Sequence, residues 1–374
     1  MSYILFKNKD YTLYYLDTKY KNKTTPLTEY NRHKLYKNLT NDILKYLDKK
    51  DIKLSKSGKN NKTSIDNNLA MFIAVNMLEK KSHIDPLFPS NIKYSQTLIK
   101  TISHLSGLSL DKSQKIYKDL DLEEKFKNIV KKISKLNSSE DDEKVYKKNK
   151  FLYYRDIKLE ISDKLYKKLR SRYNGKKDEF LSHVFCLILR YKTFGGNSHQ
   201  FSMEIKFKKI LREKYGINFE LFASSINVYY DNYCSLFYDI EKHFGSFGNF
   251  YHLKLIKGFF IANPPYETIL LEKMVNKFIK SIRESDQALS ITFGLPNWGE
   301  YERFIPLEKV QKSKYLSYIR CMKKGEVWWY DSFKNMRIKI PSHCRSVIQN
   351  EKGRKLYDIK DFNDLINKYW VIIN

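Results

Sequence analysis

Apolar positions recur at helical spacing in the first part of the chain and gather into short buried runs in the second. Leu35, Leu39, Ile43 and Leu47 repeat every four residues and predict one helix. Leu69–Lys80, Tyr94–Leu105 and Ser113–Leu136 read as three more, the last carrying Ile116, Leu120, Ile129, Val130 and Ile133. Lys56–Asn68, rich in Ser, Gly and Asn, reads as a loop, and Asp85-Pro86 and Phe88-Pro89 separate two of these helices. No alternating strand pattern stands out here, so the expectation for 1–143 is an α-helical accessory domain, closed by the polar run NSSEDDE (Asn137–Glu143).

Beyond it, Leu159–Tyr173 and Phe180–Tyr191 read as helices, and then the pattern changes. Phe219–Ala223, Leu236-Phe237-Tyr238, Phe259–Ala262, Leu289–Leu295 and Ser346–Gln349 are short apolar runs suited to strands buried on both faces. Leu271, Met274, Val275, Phe278 and Ile282 form an amphipathic stripe between two of them, and Phe362–Tyr369 another near the end. Strands alternating with helices predict an α/β, Rossmann-like domain over 144–374.

Composition adds a partner. Lys and Arg number 70 against 42 Asp and Glu, a formal charge of +28, which fits a polyanion as well as an AT-rich coding bias. Lys144–Lys214 holds twenty basic and seven acidic residues and Arg303–Lys360 fifteen and five, so basic stretches flank the middle of the domain. Cys186, Cys234, Cys321 and Cys344 lie far apart, with no Cys-x-x-Cys pair and no His cluster at ligand spacing, so neither a metal nor a disulfide framework is expected. The absence of a long apolar run and of a signal-peptide pattern sets an expectation of an intracellular protein, nuclear or cytoplasmic, with no membrane.

The chemistry concentrates at Asn263-Pro264-Pro265-Tyr266, which ends the Phe259–Ala262 strand and precedes the helix. Open α/β sheets bind ligands outside the carboxyl ends of their strands. The Asn263 side-chain oxygen and the Pro264 carbonyl could accept both hydrogens of an exocyclic adenine amine, drawing its lone pair out of the ring, and the two prolines would fix that geometry. Tyr266 offers a ring for stacking the extruded base. The plain alternative is a rigid Pro-Pro turn with a surface tyrosine.

The flanks decide. Leu189–Gly196 (LRYKTFGG), Phe222–Asn227 (FASSIN), Tyr233-Cys234-Ser235 through Asp239, Phe244–Gly248 (FGSFG), Leu295–Trp298 (LPNW) and Val347–Gly353 (VIQNEKG) resemble, in this order, the methyltransferase region of the phosphorylated-CTD-interacting-factor family. The resemblance runs from roughly Phe151 to Tyr357 and implies an S-adenosylmethionine-dependent N6-methyltransferase acting on the cap-adjacent adenosine of capped mRNA. The remaining alternatives are an adenine N6-methyltransferase on DNA or internal RNA positions, or an inactive RNA-binding protein of that fold. Ser225 replaces an expected Pro, Gln200 leads into Phe-Ser-Met-Glu, and the family's His-rich stretch is not recognisable between Tyr315 and His343. Trp298, Trp328, Trp329 and Trp370 lack paired-Trp spacing, so no WW module is expected.

In this frame Phe222, Ala223 and Ser224 form the cofactor turn after the first strand, small residues standing where glycines are usual. Asp239, with Glu241 as its competitor, would hold the cofactor ribose from the end of the second strand. Phe244, Gly245 and Ser246 would flank its adenine. Arg190 and Lys192, beside the Gly195-Gly196 turn, are either RNA or cap-phosphate contacts or plain surface charge. Trp298 is either a stacking wall or a core lid, and the aromatic, basic Val327–Lys339 run either a stacking surface or buried strand.

Overall fold

A computed structural model describes residues 3–54, 61–78, 84–139, 141–194, 200–297, 303–333 and 335–372. The chain is mixed α/β and divides into two compact units, Met1–Asp17 with Asn197–Asn374, and Thr18–Gly196. This division differs from the expected boundary at 143, and two features explain it. Near the amino terminus β1 (Tyr3–Lys7) and β2 (Thr12–Leu16) form a hairpin that joins a sheet built much later in the chain. The residues after 143 begin by packing with the helices that precede them.

In the Thr18–Gly196 unit, α1 (Pro26–Lys49) starts on a reciprocal Thr25–Thr28 capping box with proline in its first turn. α2 (Asn61–Met77) takes in residues expected to be loop, because Ile65 and Leu69 continue its buried face. α3 (Ser95–Ser106) follows. The single helix expected over 113–136 is two, α4 (Leu110–Leu120) and α5 (Leu122–Ser134), broken where Asp121 adopts φ +44°. β3 (Tyr146–Lys148), β4 (Phe151–Tyr154) and β5 (Ile157–Glu160) make a small antiparallel sheet, so the helix expected from Leu159 starts only at α6 (Asp163–Arg172). α7 (Phe180–Thr193) then packs on α1.

The other unit continues with β6 (Phe201–Met203), α8 (Ile205–Tyr215), β7 (Phe219–Glu220), β8 (Asn232–Tyr233) and the four-residue α9 (Tyr238–Glu241). β9 (Lys254–Ala262), α10 (Thr268–Glu284) and β10 (Leu289–Pro296) follow. After them come α11 (Ile305–Gln311), β11 (Leu316–Met322), β12 (Trp328–Asp331), β13 (Met336–Lys339), β14 (His343–Gln349), α12 (Glu351–Leu356) and α13 (Phe362–Tyr369). Across the eight-stranded mixed sheet the strands run β8-β7-β9-β10-β14-β11, with β2 and then β1 paired along the amino-terminal half of β9. β7, β8, β9 and β10 are parallel, while β14 lies antiparallel to β10 and β11, and β2 antiparallel to β1 and β9. Gly258, at φ +127°, lets the hairpin close in: a side chain there would meet Tyr11 Cβ at 2.6 Å.

α10 buries Leu271, Met274, Val275, Phe278 and Ile282, the expected stripe, and Leu270 beside them, each worth roughly 1.5–3 kcal/mol. The opposite face of the sheet is covered by α8, α13 and β12, through Phe207, Leu211, Trp329, Phe362, Ile366 and Trp370. Cys321 and Cys344 form a disulfide, correcting the expectation of none. They are 23 residues apart, and only the antiparallel register of β11 on β14 sets them opposite one another.

Candidate active site

β7 is where the sheet's connections change direction: the chain moves from it to β8 on one side and to β9 and β10 on the other. The carboxyl ends of β7 and β9 lie side by side, Leu221 N–H donating to the Ile261 carbonyl at 2.8 Å. Such a switch point opens a crevice outside the strand ends. The loop after β7 and Asn263-Pro264-Pro265-Tyr266 both leave the sheet there.

The Asn-Pro-Pro-Tyr loop is short and held at both ends. Pro264 is buried, Glu267 N–H donates to the Pro265 carbonyl, and the Glu267 carboxylate caps α10 by accepting from Leu270 N–H at 2.7 Å. Burial raises the Glu267 carboxyl above its usual range, opposed by these backbone donors. Tyr266 is half-buried as a residue with its hydroxyl inside, and that burial pushes the phenol up.

Sequence reasoning missed Arg345. It stands on β14 opposite Gly294 of β10, and its guanidinium donates to Asn263 Oδ1 at 2.5 Å, to the Ala262 carbonyl at 3.3 Å and to Met203 Sδ at 2.6 Å. Arg345 is fully buried, and burial brings it down to about 10, so it keeps its charge at neutral pH. The available signal was a lone arginine inside the otherwise uncharged His343–Gln349 strand, but its target depends on register across two strands.

The expected cofactor turn is tightly knit. Ala223 N–H donates to the Cys234 carbonyl at 2.9 Å, Ser224 N–H to Asn227 Oδ1 at 2.8 Å and Ser225 N–H to Glu241 Oε2 at 2.6 Å. Ser225 Oγ adds a second bond to the same carboxylate oxygen, and Ser224 Oγ one to Gln200 Oε1. These amides are already committed inside the protein, so the turn does not resemble a nest for a pyrophosphate. Phe222 packs edge-on against Tyr251 and tilted against Phe250.

Asp239 is half-buried in the first turn of α9, not at a strand end; the second strand is the earlier Asn232–Tyr233 pair. Glu241 is fully buried on the Ser225 loop and so shapes the turn. Phe244 is completely buried, Gly245 turns at φ +90°, and Ser246 Oγ lies 2.7 Å from Ser235 Oγ, so this segment packs beside β8. Behind β7, the Lys208 ammonium, depressed by burial, donates to Glu220 Oε2 at 2.8 Å.

Arg190 is corrected. Its side chain is fully buried and holds Glu29 through two 2.6 Å hydrogen bonds, so it cannot meet a phosphate; the apolar face of α7 carries it inward. Lys192 is exposed. Trp298 and Gly195-Gly196 lie outside the described residues. Trp329 is buried strand aromatic, with Trp328 and Tyr330 half-buried. Among the described residues no helix is long and apolar enough to cross a membrane.

Residues 161–331 match the family model described as the phosphorylated CTD interacting factor 1 WW domain. That match corrects the expectation that nothing WW-related is present: paired-Trp spacing was too narrow a criterion for a stretch that includes Trp298, Trp328 and Trp329. The mRNA (2'-O-methyladenosine-N(6)-)-methyltransferases of Mus musculus and Homo sapiens are each 36% identical to the chain over 129 residues. The aligned stretch covers 33% of this chain and 18% of either relative, less than a fifth of their length. Both findings agree with the resemblance drawn from the residue blocks.

Proposed function

We propose that this protein is an S-adenosylmethionine-dependent mRNA adenosine N6-methyltransferase acting on the cap-adjacent adenosine. The observation that carries the reading is Asn-Pro-Pro-Tyr at the carboxyl end of β9, beside the small-residue turn of β7, at the sheet's switch point. The parallel β8-β7-β9-β10 run, with β14 inserted antiparallel between β10 and β11, supports a Rossmann-like methyltransferase domain in the sheet-bearing unit, with the Thr18–Gly196 unit as its accessory. When bound, the cofactor supplies the electrophilic methyl group.

The chain's own residues do the rest. Asn263 Oδ1 and the Pro264 carbonyl accept the amine hydrogens, orienting the nitrogen lone pair towards the methyl group. The Tyr266 ring stacks the base. Ala223 and Ser224 admit the cofactor close to the backbone, and Asp239 accepts from its ribose hydroxyls. The names of the relatives point to mRNA, and the matching family's description to a phosphorylated polymerase tail as protein partner.

Transfer of tritiated methyl to capped A-starting, uncapped A-starting and capped G-starting oligonucleotides tests the reading. Label is expected on the capped A-starting RNA, as N6-methylated adenosine after digestion. Equal labelling of the uncapped oligonucleotide would remove the cap from the proposal, and labelling of the G-starting RNA would remove the adenine.

A further inference from the structure

We infer that Arg345 is the positioning residue that fixes the Asn263 amide with its oxygen, not its nitrogen, turned to the substrate amine. The inference rests on the proposed methyltransfer at Asn263. An asparagine side chain has two faces of opposite hydrogen-bonding sense, and only the carbonyl face could hold an amine's hydrogens. A guanidinium has no acceptor, so whatever lies 2.5 Å from Arg345 Nη2 must be the oxygen. That contact occupies one of the two lone pairs of Oδ1 and leaves the other for the substrate. The second bond, from Arg345 Nη1 to the Ala262 carbonyl, ties the same guanidinium to the backbone immediately before Asn263.

Three further observations show that this reach is built in. Arg345 lies on β14 and Asn263 follows β9, so the side chain must cross β10. At the crossing point β10 has Gly294: a Cβ there would stand 3.5 Å from Arg345 Nη2 and 3.8 Å from Asn263 Oδ1. Glycine leaves the lane open, and anything longer than alanine would fill it. Arg345 also has no carboxylate partner among the described residues, although it is fully buried. Its surroundings are Met203, the Trp370 ring at 5.3 Å and the phenols of Tyr266 and Tyr230. A buried cation is costly. Here both of its oxygen acceptors are on Asn263 and the residue before it, with Met203 Sδ as the remaining partner.

A double-mutant cycle in single-turnover methyl transfer tests this, using the full chain, S-adenosylmethionine and capped A-starting RNA. Arg345→Met keeps the length and removes the donors; Arg345→Lys keeps one donor. Arg345→Met is expected to slow transfer ~10- to 100-fold, the usual effect of a loosened catalytic group, with RNA and cofactor affinity unchanged. Arg345→Lys is expected to recover part of the rate. In an Asn263→Ala background, Arg345→Met should cost nothing more, because there is no amide left to orient. Gly294→Leu, which blocks the lane with the charge intact, should reproduce the Arg345→Met defect.

If Asn263→Ala is slow but Arg345→Met transfers at the wild-type rate, the positioning role is overturned and the active-site reading survives. Equal slowing by Arg345→Met in both backgrounds also overturns it, because a purely structural cation would act so. If Asn263→Ala itself keeps the wild-type rate, the active-site reading falls and takes the role of Arg345 with it.

Discussion

Arg190 and Arg345 are both buried arginines in apolar elements, and neither could be understood from its neighbours in sequence. Arg190 belongs to a closed network: Glu29 accepts from it and from Arg32, and Arg32 also holds Asp85, with all four side chains fully buried. The charges balance, and the partners are some 161 and 53 residues apart, which is why the arginine read equally well as a surface contact. Removing one member leaves a buried charge without its counterpart. Glu29→Ala or Arg190→Ala is therefore expected to destabilise the Thr18–Gly196 unit by ~3–5 kcal/mol in denaturant melts. A loss under 1 kcal/mol would mean that water reaches the network. Tyr266 makes a second prediction at this scale. Its hydroxyl is buried and stacking needs only the ring, so Tyr266→Phe should transfer methyl groups within about two-fold of wild type. Tyr266→Ala should lose stacking worth ~1–3 kcal/mol in productive RNA binding. Should the phenylalanine variant be as slow as the alanine one, the hydroxyl takes part and stacking is the wrong account.

Among the elements, those with long, strongly periodic patterns were legible: α1, α7, α10 and α13, and the strands β9, β10 and β14. Short ones were legible only in part. β7 was expected over Phe219–Ala223 and keeps only Phe219–Glu220, while β8, at Asn232–Tyr233, was expected later, at Leu236–Tyr238; a two-residue strand has no period and exists because β7 and β9 offer parallel edges. The hairpin β1–β2 escaped notice because its partner is some 240 residues away. The site showed the same split, with the Asn-Pro-Pro-Tyr loop legible as a local motif and the acid after β8 left open between Asp239 and Glu241. The two carboxylates have different surroundings. Glu241 is spent on the N–H and hydroxyl of Ser225, while Asp239 sits half-buried on the first turn of α9. Asp239→Ala should weaken cofactor binding ten- to hundred-fold, the worth of a lost charge-assisted hydrogen bond, with little effect on melting. Glu241→Ala should lower stability and cofactor affinity together, since the turn it holds is released. Calorimetric titration beside thermal melts separates them, and an Asp239→Ala variant that binds the cofactor normally would reassign the ribose contact.

For the whole molecule, the +28 charge was legible but its deployment was not: Arg32, Arg190, Lys208 and Arg345 are internal and unavailable to a polyanion. Buried histidines give the whole chain a pH response that can be worked out by sign. His33 in the Thr18–Gly196 unit is lowered to about 4, mainly by burial and then by Lys37 and Lys34. His343 on β14 is lowered to about 3 by burial and by the adjacent Arg345 charge, and neither of its ring nitrogens has a partner among the described residues. A histidine depressed in the folded state takes up its proton more readily when unfolded, so acid favours unfolding. The stabilisation is complete above the unfolded value near 6.5 and is lost as the pH falls towards 4 and 3. At about 1.4 kcal/mol per pH unit, each histidine should cost its unit roughly 2 kcal/mol between pH 6.5 and 5. Hydrogen exchange read peptide by peptide can follow the two units separately through this window. His343→Leu, close in volume and without a titrating ring, should flatten the acid loss of protection in β10, β11 and β14 and leave that of α1 and α7 as it was. His33→Leu should do the reverse. If His343→Leu leaves the acid sensitivity of the sheet unchanged, the carboxylates and not this ring govern it.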